Sequence, residues 1–190
     1  MSDARPDAIT LTVDAVCPYS YMVASTVVAA AIDAGAALRW RLVPLTGLGP
    51  DAAPADQAMH AARRDAAWPS IVALAATYGL RLARPSWHVD SRPAAAVGAR
   101  LAAIATADAD AFHLGLFRAY FEAGADIGDP RVLHEIARAA GIEGADAHVT
   151  EAEAADAAAT AIADAAARGI AAAPALRAGE HLVMGAQPPE

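Results

Sequence analysis

Residues 8–45 place the tightest limit on what this chain can fold into. "AITLTVD" (8–14) alternates and is rich in β-formers. It leads into "AVCPYSYMVASTVVAAAIDAG", whose apolar run from Tyr19 to Ala34 has Pro18 at its front and Gly35 just past its end. Proline suits the first helical turn, where its missing N–H has no partner to lose, and glycine suits the position after the last turn. "ALRWRLVPL" (37–45) sets Leu38, Trp40 and Leu42 against Arg39, Arg41 and Val43, the period of a strand. Strand, helix and strand with a short second connection predict a β-α-β unit with a parallel pair.

Beyond it the pattern changes. "TGLGPDAAPAD" (46–56) has the glycines and prolines of a loop. A helix is expected from Ala55 to about Thr77, kinked or split by Pro69. Residues 79–93 read as an irregular connection, and helical signals then dominate to residue 168. Phe112, Leu116, Phe117, Tyr120 and Phe121 share one helical face, a core stripe rather than a cofactor box. Asp129 and Pro130 open the next helix, Val132, Leu133, Ile136, Ala137 and Ala140 form its stripe, and Gly141 closes it. Thr150 and Glu153 have capping-box spacing. The alanine-rich tract 152–168 is helical rather than disordered, since alanine gives up little entropy in a helix. "PALRAG" and "EHLVMG" (174–185) read as two short strands around a turn near Gly179. The expected class is α/β: β-α-β, a large all-helical insertion over 50–168, then β-β. The 190 residues form one domain, with the sheet drawn from 8–45 and 169–190.

The net charge of −8 argues against nucleic acid or an anionic membrane as partner, since both require a basic face. All fourteen basic residues are arginine, which reflects codon usage rather than function. The polar start "MSDARPDAIT" lacks the pattern of a signal peptide, and the apolar run "YMVASTVVAAAI" is too short for a membrane span. One cysteine gives no disulfide framework and no cysteine-based zinc site. The cytoplasm, where thiols stay reduced, is the expected compartment.

That cysteine, Cys17, follows a strand and directly precedes Pro18 and a helix. Unpaired N–H groups and the helix dipole at such a position stabilise a thiolate and lower the thiol pKa. The C-terminal end of a strand is also where α/β sheets place their sites. The alternative is a small buried cysteine with no role beyond packing.

"VDAVCPYSYMVAS" resembles the active-site segment of the DsbA-like branch of the thioredoxin superfamily, and within it the FrnE-like oxidoreductases, which carry a Cys-Pro-Trp-Cys-Tyr type motif there. "LFRAYFEAGADIGDPRVLHEIARAAGI" (116–142) is similar to that family's helical insertion, and "GIAAAPALRAGEHLVMGAQPPE" (169–190) to its closing segment. The resemblance implies a thioredoxin-like fold and thiol–disulfide oxidoreductase activity on a thiol or disulfide substrate, small molecule or protein. Cys17 matches the nucleophile, with Pro18 and Tyr19 against the substrate. Pro174 matches a cis-proline facing the nucleophile, with Ala173 offering its backbone to the substrate. On the residues alone Pro174 reads first as a strand-start proline. No bound cofactor is implied; glutathione or another low-mass thiol would serve as co-substrate.

Two departures follow. Ser20 stands where the family has its resolving cysteine, so Cys17 cannot close an internal disulfide. Its hydroxyl either supports a Cys17 thiolate or bonds locally in the helix. "PYSY" is also similar to the Ser-Pro-Tyr-Ser-Tyr segment of 2-hydroxychromene-2-carboxylate isomerases and kappa-class glutathione transferases, which use a serine at the position of Cys17 to hold the thiolate of glutathione. A thiol-dependent isomerase or transferase and a non-catalytic relative are therefore the alternatives. The family also continues past "GAQPPE" into a helix covering one sheet face. Its absence is expected to leave an apolar face for another element or a second subunit, as in a homodimer.

Other signals are weak. "TGLGPD" lacks the spacing of a phosphate loop. The six histidines show no i, i+3 or i, i+4 pair, so no metal site is expected, and no Ser-His-Asp arrangement has support. His113 and His134 are expected to be ordinary helix residues. His88, beside Trp87, lies in a surface turn or lines a cleft. Tyr19 and Tyr21 divide between core and site rim.

Overall fold

The computed structural model describes residues 9–45, 53–101, 107–142 and 148–186. In chain order it contains β1 (Ile9–Val13), α1 (Pro18–Ala34), β2 (Leu38–Leu42), α2 (Pro54–Thr77), α3 (Arg92–Leu101), α4 (Ala107–Phe121), α5 (Pro130–Ala139), α6 (Glu151–Ala167), β3 (Ala175–Ala178) and β4 (His181–Met184). The strands form one sheet in the order β2-β1-β3-β4. β1 and β2 are parallel, and the β1–β3 and β3–β4 pairs are antiparallel. This is the β-α-β, helices, β-β order expected from the sequence. Most of the expected loop 46–56 lies outside the described residues.

Alternation along the strands divides the sheet into two faces. Leu11 pairs with Trp40 on one side and Leu176 on the other, so these three share a face. The main core forms there. α1 adds Tyr21, Ala24 and Val28, and α4 adds the whole stripe Phe112, Leu116, Phe117, Tyr120 and Phe121, each 1% exposed or less. Tyr21 stacks on Phe117 with ring centroids 5.3 Å apart, and its hydroxyl donates to Glu122. Tyr21 is therefore core and not site rim. On the other face α6 covers a smaller cluster of Val43, Ala165, Ile170 and Ala175. Asp164 of α6 pairs there with Arg41 of β2.

The helix ends follow the local chemistry. Gly35 takes φ 61°, the left-handed conformation that closes α1 at little cost for a residue without Cβ. Asp129 accepts from the Arg131 N–H at the start of α5. Thr150 and Glu153 form the reciprocal capping box, with Thr150 N–H donating to the Glu153 carboxylate at 2.8 Å. Pro69 does not split α2, which is one helix of 24 residues. Pro69 is exposed, so only its backbone bond is lost, while Ile71 and Ala75 dock the helix on Met22 of α1. The irregular connection ends at Arg92, where α3 begins.

β4 is an edge strand, and Val183 and Met184 on it are 50% and 45% exposed. Residues 187–190, where the expectation of a missing terminal helix falls, lie outside the described residues.

His113 is buried in α4, stacked on Trp40 with centroids 4.5 Å apart. Its Nδ1 is 2.6 Å from the Ala109 carbonyl, and its Nε2 has no partner among the described residues. Burial pushes its pKa down to about 4. The unfolded chain takes up a proton on this histidine near pH 6.5, whereas the folded chain does not until about pH 4. The unfolded state thus binds more protons between these values, and stability falls as pH falls through that window. The loss approaches about 3 kcal/mol near pH 4. Denaturant melts at neutral pH and pH 4.5 are expected to show it, and His113→Gln is expected to flatten it. An unchanged slope in that variant would contradict the assignment.

Candidate active site

Cys17 is the N-cap residue of α1, in extended conformation, with Pro18 at the first helical position. Asp14 builds the turn that delivers it. The Cys17 N–H donates to the Asp14 carbonyl at 3.0 Å, and the Val16 N–H donates to Asp14 Oδ1 at 3.1 Å. Asp14 is wholly buried. Its own N–H donates to Ser20 Oγ at 3.1 Å, which ties the end of β1 to the first turn of α1.

Cys17 is 3% exposed, and its thiol donates to the Ala173 carbonyl at 3.7 Å. The Ala173–Pro174 peptide bond is cis. Pro174 is buried, and its carbonyl accepts from the Gly185 N–H at 2.8 Å, fixing this corner to the end of β4. The sheet thus brings residues 17 and 173 together across 156 positions of sequence.

The ionisation of Cys17 corrects one expectation. Position alone pointed to a lowered pKa; burial raises it above the ordinary thiol value, and the charge of Asp14 raises it further. The Ser20 backbone and hydroxyl and the Tyr19 backbone act the other way, but the first two effects dominate. At neutral pH the resting group is a protonated thiol. The helix N-terminus supplies its donors as expected; lost water and a buried carboxylate outweigh them. The Ser20 hydroxyl oxygen accepts from the Asp14 N–H, and the nearness of this hydroxyl to Cys17 is one of the influences that lower the thiol pKa. Of the two alternatives in the sequence, local bonding is the one with a hydrogen bond in the structure.

A cleft of about 530 Å³ opens over the thiol, lined on one wall by Cys17, Pro18 and Tyr19. Tyr19 is 38% exposed. α2 forms the opposite wall with His60, Arg63, Arg64, Ala67 and Ile71, and Trp87 closes one end. Ser20 is buried, and neither it nor Ala173 is among the lining residues of the cleft. His88 is exposed in a turn, and its neighbour Trp87 lines the cleft. The α2 wall and Asp14 were missed in the sequence. His60, Arg63, Arg64, Ala67 and Ile71 do recur at helical spacing, but nothing local shows that this face turns towards Cys17. Among the described residues no cluster of metal-ligating side chains occurs, and no helix is long and apolar enough to cross a membrane.

A family model described as DSBA-like thioredoxin domain matches residues 8–190. The chain belongs to this family. No curated protein sequence matches it. Solved DSBA-like structures share the fold at low identity. A Streptomyces coelicolor structure described as a "probable DsbA oxidoreductase" superposes with TM-score 0.70 at 22% identity, covering 96% of this chain and 85% of its own. The cytosolic disulfide reductase DsbM of Pseudomonas aeruginosa gives 0.64 at 18%, covering 93% and 87%; its structure with GSH gives 0.61 at 20%, covering 93% and 88%. A 2-hydroxychromene-2-carboxylate isomerase gives 0.62 at 18%, covering 94% and 88%. The DSBA-like fold thus includes neighbours described as oxidoreductases and as an isomerase.

Proposed function

We propose that this DSBA-like protein is a monothiol thiol–disulfide oxidoreductase of the FrnE-like kind, working through Cys17 in the cytoplasm. One observation carries the reading: the only thiol of the chain donates to the Ala173 carbonyl, brought to it from the far end of the sequence, and lines a cleft. An extended substrate would pair with the Ala173 backbone in the manner of an added strand, with Pro18 and Tyr19 against its side chains. Displacing the thiol from the Ala173 carbonyl frees both groups for the substrate.

The chemistry balances without an outside oxidant. The Cys17 sulfur attacks one sulfur of a disulfide RS–SR. The S–S bond breaks, Cys17–S–SR forms, and RSH leaves with the proton that Cys17 gave up. A second low-mass thiol then attacks the mixed disulfide, restores the Cys17 thiol and departs as the new disulfide. Ser20 stabilises the sulfur as it becomes anionic by donating its hydroxyl proton in a hydrogen bond. Glutathione is one thiol of suitable chemistry, and the DsbM structure holding GSH supports that class.

The raised pKa of Cys17 favours a second reading, in which a protonated Cys17 and Ser20 hold the thiolate of a bound cofactor thiol for an isomerase or transferase reaction. Intact mass after exposure to oxidised glutathione separates the two. A single adduct, reversed by added thiol and absent in Cys17→Ser, is the expected result. Tight glutathione binding with no adduct would overturn the proposal in favour of the second reading.

A further inference from the structure

We infer that the α2 wall selects the charge of the reacting molecule: Arg63 and Arg64, with His60 beside them on the same helical face, favour small thiols and disulfides that carry carboxylates. The inference rests on the reading of Cys17 as a nucleophile and adds a substrate class to it. These residues fall at i, i+3 and i+4, so they share one helical face, and all three line the cleft over Cys17. Asp14 is the charged group among the main influences on Cys17. Arg63 and Arg64 put two cations in the lining of the cleft, where the charge of an incoming molecule would meet them.

The wall is also built. Trp87 donates from Nε1 to Asp65 at 2.7 Å, and the Arg64 guanidinium lies 5.1 Å from the Trp87 ring centroid. Asp65 is paired with Arg84 and does not line the cleft, so it does not cancel the wall's charge. Arg63 is exposed at the rim. The whole chain carries −8, which repels anions at a distance, so two arginines in the cleft lining are a local exception to the chain's charge. Arginine further offers a planar fork that matches a carboxylate. The cleft volume of about 530 Å³ is that of a small-molecule site.

Three small disulfides that differ mainly in charge test this: dithiodipropionate (anionic), hydroxyethyl disulfide (neutral) and cystamine (cationic). Rates of adduct formation on Cys17, followed by intact mass, are expected to fall in that order, with about a tenfold gap between anion and neutral that shrinks in high salt. Arg63→Glu is expected to move the preference towards cystamine. Equal rates for the three, or an order unmoved by Arg63→Glu, would overturn the inference while leaving the Cys17 reaction intact. If none reacts, the Cys17 reading fails, and glutarate, an unreactive dicarboxylate, tests the wall by itself. Saturable quenching of Trp87 fluorescence, absent in Trp87→Phe and weakened in Arg63→Glu, supports the inference; no quenching overturns it.

Discussion

Replacing Ser20 with cysteine is expected to change the product of the reaction. The Ser20 N–H donates to the Cys17 carbonyl at 3.0 Å, so residues 17 and 20 lie within one helical turn. A thiol introduced at residue 20 takes the position of the family's resolving cysteine. Once a disulfide substrate has formed the adduct, that thiol attacks the Cys17 sulfur and expels RSH. Wild-type protein is expected to gain the mass of one RS group. The Ser20→Cys variant is expected to pass through that species and end lighter than the starting protein by two hydrogen atoms. A stable adduct on the variant would show that residue 20 cannot reach the sulfur. The substitution has a structural cost, because the Asp14 N–H loses a good acceptor in a buried place, worth about 1–3 kcal/mol.

The second large effect is on stability. Phe112 is wholly buried and meets His113 edge-on with centroids 5.4 Å apart. It belongs to the cluster that joins α4 to α1 and to the Leu11–Trp40 face of the sheet. Phe112→Ala removes a ring from a core whose other large groups include Tyr21, Trp40, Phe117, Tyr120 and Phe121, already packed on their own neighbours. The expected loss is about 3–5 kcal/mol, which lowers Tm by roughly 10 °C in a chain of this length. A loss below about 1 kcal/mol in denaturant melts would mean that the α4 stripe does not form the core. Cys17 lies outside this cluster, so native Phe112→Ala protein is still expected to form the adduct.

Most of the fold was legible because its signals are local. Pro18 and Gly35 mark the ends of α1, Asp129 and Thr150 cap α5 and α6, and the spacing of Phe112 to Phe121 announces the core face of α4. Pro69 misled, since an exposed proline on a helix anchored by Ile71 and Ala75 need not divide it. The site was legible only in part. Cys17 was marked by its place between strand and helix, and Ala173 and Pro174 entered through family resemblance alone, since nothing local ties them to residue 17. The direction of the Cys17 pKa depended on burial and on Asp14, both set by tertiary packing. The cationic wall of α2 had a visible helical pattern, but its orientation is fixed by docking between α2 and α1, which no local spacing encodes.

The central claim is that Cys17 reacts from the folded state despite its burial. The rate of alkylation of native protein by iodoacetamide tests this most directly. The expected rate rises in proportion to reagent, increases with pH to beyond the ordinary thiol pKa as the raised value requires, and is slowed by a low-mass thiol ligand in the cleft. A rate independent of reagent concentration and equal to the rate of global unfolding would show a sealed structural thiol and contradict the account.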